Sequence, residues 1–286
     1  MVLEKLQQFE NDLDRTKSDT TKKLYIQSLE LFDKWLEQNS ENPSQQSVQQ
    51  FLNHLNAKGL SSATQNRHLS AIKTYFRKMK REELSVEFTQ KKEGEKRPVI
   101  EGEDYPNPEK VKELIRSLKG SFLELRDRTI FCIGFGAGAR RGEIVRVDKK
   151  HFNPPHITIL RKKTRGSEIV DHKRKLGEEL SQYIQEYLDY RSDNHEAMFV
   201  ATDTKKGVRR IHYNLVYHIV RKRTEQFLGK KYNPHSLRHA RASQMARKGV
   251  PMKHIADYLG ITTDVADRTY SHLTQREMDE VPTAMS

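Results

Sequence analysis

"NPHSLRHARAS", residues 233–243, decides how this chain is read. It sets His235, Arg238, His239 and Arg241 together at a helix start, among small and apolar side chains and with no acidic residue beside them. A solvated helix face mixes its signs and spreads its charges. Cations this dense call for an anion supplied from outside the segment. What that anion is, and whether the protein holds it or reacts with it, depends on the rest of the chain.

The chain has 286 residues, enough for two domains of ordinary size. Lys and Arg total 52 against 39 Asp and Glu, a net charge of +13, and a basic excess of this size points to nucleic acid as partner. The excess is uneven. Residues 1–60 carry seven Lys/Arg and nine Asp/Glu, whereas residues 201–248 carry thirteen Lys/Arg against Asp203 and Glu225, a net of +11. Residues 61–80 add five basic residues, Arg67, Lys73, Arg77, Lys78 and Lys80, and no acidic one. Two separated basic surfaces suggest a groove or clamp; a merely solubilising surface would intersperse its signs. The single cysteine, Cys132 in "TIFCIGFG", excludes an internal disulfide and reads as a core residue of a reducing, intracellular compartment. No signal-peptide pattern opens the chain, and no run approaches the about 18 apolar residues of a membrane span. The expectation is a soluble, cytoplasmic, nucleoid-associated protein with no membrane partner.

Apolar periodicity makes the first part helical. Leu6, Phe9 and Leu13 form one stripe, Tyr25, Leu29, Phe32 and Leu36 a second, and Val48, Phe51, Leu52 and Leu55 a third, ending at Gly59. Ser61 or Ser62 caps a fourth helix, with Leu69, Ile72, Phe76 and Met79 inward and the five basic residues on its other face. Residues 83–104 lose this periodicity and read as linker. A new helix starts at Asn107 (N-cap) and Pro108, striped by Val111, Leu114, Ile115 and Leu118. "ELRDRTIFCIGFGAGARRGEIVRV" gives a buried helix, a Gly-Ala-Gly turn and a second helix from near Arg140. "HITIL" and "SEIV" read as a hairpin joined by "RKKTRG", with "MFVA" as a third strand. The remainder is helical, with breaks near Gly229–Asn233, Gly249–Pro251 and Gly260–Thr263. The fold class expected is mainly α within α+β: an N-terminal helical bundle over 1–90, a linker over 91–104, and a mixed domain over 105–286 with a small antiparallel sheet.

Four segments of the second domain carry unusual polar residues. Arg140 stands three before Glu143, one helical turn apart; Lys163 rides a β-turn; His235 and Arg238 are one turn apart; Tyr270 lies on a short segment after "LG". In type and in order these resemble the tyrosine recombinase (phage integrase) family, and "TTKKLYIQSLELFDKWL" and "SSATQNRHLSAIKTYFRKM" look like that family's core-binding, SAM-like domain. The resemblance spans nearly the whole chain. Each motif alone is weak; together and in order they are specific.

The resemblance implies an enzyme that cuts and rejoins duplex DNA through a covalent 3′-phosphotyrosyl intermediate, with strand exchange through a Holliday junction. It also implies two domains closing as a clamp, and a homo-tetramer on DNA formed from a solution monomer. The chemistry suits the residues. Tyrosine stores the broken bond's energy as a phosphodiester. A pentacovalent phosphorane carries extra negative charge, which guanidiniums meet with a two-pronged fork at any working pH. Arg140 and Arg238 would clamp that phosphate, Glu143 would hold Arg140 or His235, and Lys163 would protonate the leaving 5′-oxygen. His235 would handle the proton of Tyr270, whose free pKa is near ~10. Lys162 is the alternative to Lys163; Lys162, Arg165 and Arg241 read as DNA contacts, and His239 as structural or a second phosphate contact rather than catalytic. Tyr258 follows the apolar pattern of Ile255 and Leu259 and reads as core. The twelve histidines form no metal-ligand spacing, so neither metal nor cofactor is expected.

One position departs from the pattern. The family usually has His or Trp directly after the "LG" pair, where this chain has Ile261, which donates no hydrogen bond. By analogy with a lost oxyanion donor this costs roughly 10²–10³ in rate. It keeps in view a recombinase-derived DNA-binding protein that has lost cleavage. A type IB topoisomerase-like enzyme would use similar residues, and a metal-dependent nuclease lacks the carboxylate cluster it would need.

Overall fold

The computed structural model describes residues 6–13, 19–79, 104–162, 169–203 and 207–279. By its contacts the chain divides into two compact units, Met1–Pro98 and Val99–Ser286. Lys80, Lys163, Arg165 and all but Asp104 of the expected linker lie outside the described residues.

In the first unit, α1 (Leu6–Leu13), α2 (Asp19–Asn39), α3 (Gln45–Ala57) and α4 (Ser62–Lys78) follow the apolar stripes. Serines set two of the starts. The hydroxyl of Ser44 accepts from the Ser47 N–H at 3.0 Å while that of Ser47 accepts from the Ser44 N–H at 2.9 Å, and Ser61 caps α4. Leu29, Phe32, Leu36, Phe51, Leu69 and Ile72 are buried, and the Phe32 and Phe51 rings lie 5.0 Å apart. Each buried ring or aliphatic side chain contributes about 1.5–3 kcal/mol. On the outer side of α4, Arg67 and Arg77 are exposed while Lys73 and Lys78 are half-buried.

The second unit begins with α5 (Pro108–Ser117), capped by Asn107, whose side-chain oxygen accepts from the Glu109 N–H at 2.8 Å. α6 (Phe122–Phe131) runs into a π-helical turn over Cys132–Gly136 before α7 (Arg141–Arg146). Cys132 is fully buried there, which pushes its thiol pKa up. Between turn and helix, Gly138 has φ +61°, and a Cβ on it would stand 3.0 Å from Leu259 Cδ2. Glycine is required on both counts.

β1 (Phe152–Asn153), β2 (His156–Lys162) and β3 (Ile169–Lys175) form an antiparallel sheet in that order, with Ile159 opposite His172 and Arg161 opposite Val170. α8 (Glu178–Tyr190) follows. The expected third strand belongs elsewhere: β4 (Val200–Asp203) pairs with β5 (Gly207–Arg210) as a separate two-stranded sheet. The hairpin sheet takes its third strand from Phe152–Asn153 instead, too short for alternation to reveal. α9 (Tyr213–Leu228), α10 (Pro234–Arg247), α11 (Met252–Leu259) and α12 (Thr263–Asp279) complete the unit. Tyr270 therefore sits inside a 17-residue helix rather than on a short segment, because the apolar positions Ala266, Tyr270 and Leu273 keep helical spacing and are all buried. Among the described residues no helix is long and apolar enough to cross a membrane.

Candidate active site

The start of α7, the end of β2, the first turns of α10 and the α11–α12 turn converge on one carboxylate. Glu143 is 2% exposed. Its Oε2 accepts from the backbone N–H of Arg140 at 2.8 Å and its Oε1 from the Arg140 guanidinium at 2.9 Å. The sequence alone leaves this pair as an ordinary ion pair or a site element. Burial alone would raise the Glu143 pKa, but the Arg140 N–H and the Arg161 and Arg140 charges outweigh it, so the net shift is downward. Glu143 is ionised at neutral pH. Arg140 also donates to the Gly260 carbonyl at 3.4 Å and keeps a side chain 38% exposed.

Arg238 comes from α10 and is 3% exposed. It donates to the Gly138 carbonyl at 2.8 Å and to the Leu259 carbonyl at 2.5 Å. Burial, then the nearby charge of Arg140, lowers its pKa to about 9, which still leaves it a cation at neutral pH. Two backbone carbonyls thus fix one guanidinium at the junction of three elements, with Arg140 beside it.

Tyr270 is 2% exposed, packed with Ala242, Ala246, Leu259 and Leu273. Its hydroxyl is 2.7 Å from Nδ1 of His239. Burial pushes the Tyr270 pKa up to about 12, against the opposing pull of Arg238. The expectation that His235 meets this hydroxyl needs correcting. His235 is exposed on the first turn of α10, and its ring lies edge-on to that of His239 at 4.5 Å. One helical turn further along, His239 faces the packing of α10 on α12, and so reaches the tyrosine first.

Other expected residues fall as follows. Arg241 donates to Gln244 at 2.7 Å and lies 5.7 Å from the Tyr258 ring, turned into the packing of α10 on α11. The Tyr258 hydroxyl donates to the Gly136 carbonyl, which commits it away from chemistry. Lys162 ends β2; the structure describes its backbone position only. Ile261 packs against the cluster that holds Tyr270. Among the described residues no group of three or more His, Cys, Asp or Glu is placed to hold a metal ion.

One residue was missed. Arg161 donates from Nε to Glu143 Oε1 at 3.0 Å and from a terminal nitrogen to the Leu259 carbonyl at 2.5 Å. The signal was present in "HITILR": Ile157 and Ile159 are buried, and period-two alternation puts Arg161 on the same face.

Residues 106–277 match the family described as "Phage integrase family", and residues 6–83 match its N-terminal SAM-like domain. The chain belongs to the phage integrase family. Among its phage integrase relatives, the tyrosine recombinase XerA of Pyrococcus furiosus is 27% identical over 92% of this chain and 87% of its own length. A tyrosine recombinase of Pseudothermotoga lettingae is 26% identical, covering 92% and 91%. The fold is similar to that of the XerH site-specific recombinase bound to its palindromic difH substrate after cleavage, with a TM-score of 0.70 and 17% identity over 92% of this chain and 79% of that one. It is also similar to a lambda integrase (75–356) dimer bound to a COC′ core site, at a TM-score of 0.61 and 15% identity over 91% and 94%.

Proposed function

We propose that this phage integrase family enzyme is a site-specific DNA recombinase with Tyr270 as its nucleophile. The observation that carries the reading is the hydrogen bond between the buried Tyr270 and His239 beside Arg238, in a chain whose family acts by tyrosine chemistry on DNA. The Tyr270 oxygen attacks the scissile phosphorus and forms a 3′-phosphotyrosyl bond as the bond to the 5′-oxygen breaks. The phenolic proton passes to His239. Lys163, or Lys162 at the end of β2, returns a proton to the leaving 5′-oxygen. Arg140 and Arg238 take the non-bridging oxygens, and Glu143 holds Arg140 in place. The freed 5′-hydroxyl of a partner strand then attacks the phosphotyrosine and regenerates Tyr270. No net bond energy is lost, so ATP is not called for, and the arginines supply the positive charge at the phosphate.

Two such exchanges through a Holliday junction, carried by four copies assembled on DNA from solution monomers, complete recombination. We place this work in the cytoplasm, at the nucleoid. Because Tyr270 is 2% exposed, DNA engagement has to open the packing of α12 before the oxygen reaches phosphorus. The deciding experiment is incubation with a nicked duplex whose cleavage releases a short end and traps the intermediate. A covalent protein–DNA adduct mapped to the Tyr270 peptide supports the reading, and no adduct on any nicked site bound by the protein overturns it.

A further inference from the structure

The site holds one cation more than the proposed chemistry has used. Arg161 shares an acceptor with each of the two proposed phosphate ligands: Glu143 Oε1 with Arg140, and the Leu259 carbonyl with Arg238. Its side chain is 12% exposed. Its remaining terminal nitrogen, Nη1, is buried and has no hydrogen-bond partner. The guanidinium occupies the place a side chain at residue 260 would take, and Gly260 leaves it open by having none.

Charge makes this arrangement unusual. Three guanidiniums meet here, and Glu143 is the one carboxylate paired with them among the described residues. Buried charge without a counter-charge is costly, several kcal/mol per ion even after relaxation. A latch between β2 and the α11–α12 turn needs only a neutral donor to the Leu259 carbonyl. An arginine there is explained by an anion that arrives later. The positive field reaches the hairpin's partner strand too: burial and then the charges of Arg161 and Arg174 lower the pKa of His172, which stands opposite Ile159. On the other flank of Gly260, Ile261 packs in the Tyr270 cluster and offers no donor.

We propose that Arg161 is a third phosphate-binding arginine of the reaction centre, donating to a non-bridging oxygen of the scissile phosphodiester on the side where residue 261 has nothing to donate. This rests on the reading that Arg140 and Arg238 hold that phosphate. It assigns a ligand role to a side chain outside the arginine–histidine–tyrosine pattern.

The test compares wild type, Arg161→Ala, Arg161→Gln and Arg161→Lys on two nicked duplexes, one with an ordinary scissile phosphate and one with a methylphosphonate there. The methylphosphonate replaces a charged oxygen by a methyl group, so an arginine that neutralises that oxygen becomes dispensable. On phosphate, Arg161→Ala and Arg161→Gln should slow single-turnover adduct formation by roughly 10²–10³. On methylphosphonate that deficit should shrink to less than about tenfold, with Arg161→Lys, which keeps the charge, between wild type and Ala on phosphate. An equal deficit on both substrates would make Arg161 a structural latch and overturn the proposal, as would a phosphate deficit below about threefold. Should the Ala variant fail to fold, Gln keeps a donor for the carbonyl and carries the comparison. Wild type that forms no adduct with the phosphate duplex overturns the recombinase reading itself; active wild type without the substrate-dependent difference overturns Arg161 alone.

Discussion

Replacing Tyr270 by Phe removes one oxygen from a side chain that is 2% exposed and leaves its ring packed among Ala242, Leu259 and Leu273. The structural cost is the hydrogen bond to His239, worth about 1 kcal/mol net, so the variant should fold and bind DNA as wild type does. The chemical cost is total. With its pKa pushed up to about 12, Tyr270 is ionised in roughly one molecule in 10⁴–10⁵ at pH 7.5, against about one in 300 at an ordinary pKa near 10. That difference makes the phenolate dearer to form by a few kcal/mol, which is why the hydroxyl needs an acceptor at hydrogen-bond distance. Wild type should give a denaturant-resistant adduct on a nicked duplex, and Tyr270→Phe none, with DNA affinity and melting temperature nearly unchanged. An adduct on the variant would refute the reasoning. It would move the nucleophile to Tyr258, whose hydroxyl would first have to leave the Gly136 carbonyl.

His239→Ala should slow adduct formation by roughly 10²-fold or more and exceed the effect of His235→Ala; the reverse order in single-turnover assays would return the tyrosine proton to His235. Cleavage should persist in excess chelator, and complete loss restored by magnesium while DNA binding persists would favour a metal-dependent nuclease. Affinity should fall by roughly 10³–10⁵ between 50 and 200 mM salt if about six to ten phosphates are neutralised. Charge reversal at Lys73, Arg77 and Lys80 should flatten that slope, measured by titration at several salt concentrations; an unchanged slope would take α4 out of the DNA interface.

The helices of the first unit were legible because each buries one stripe, and a stripe of period 3.6 with a serine before it needs no partner to be recognised. The hairpin of Ile157 and Ile159 was legible for the matching reason, period two. Legibility failed where a residue's fate depends on a distant element. "MFVA" has strand composition, but its partner, β5, begins at Gly207 and builds a separate sheet. Tyr270 reads as part of a short segment because the break at Gly260–Thr263 precedes it, yet the helix that opens at Thr263 runs to Asp279. His235 and His239 are equivalent on α10 until α12 docks beside one of them. Arg161 opens the basic connection "RKKTRG" and carries no motif of its own, although alternation with Ile157 and Ile159 puts it on the inner face.

Motif spacing therefore proposes the reacting groups, while the fold decides what each one touches. Arg140, Arg161 and Arg238 lie on three segments and are held, among the described residues, by Glu143 and the carbonyls of Gly138, Leu259 and Gly260. Carbonyls fix a guanidinium without cancelling its charge, so the site is positioned and electropositive before any DNA arrives, which is what a preorganised anion site requires. A second carboxylate would hold the arginines more cheaply and would compete with the phosphate for them. Among the described residues Glu143 is the one carboxylate paired with these three guanidiniums, which leaves two positive charges in excess, and in the proposed reaction the incoming phosphodiester satisfies them.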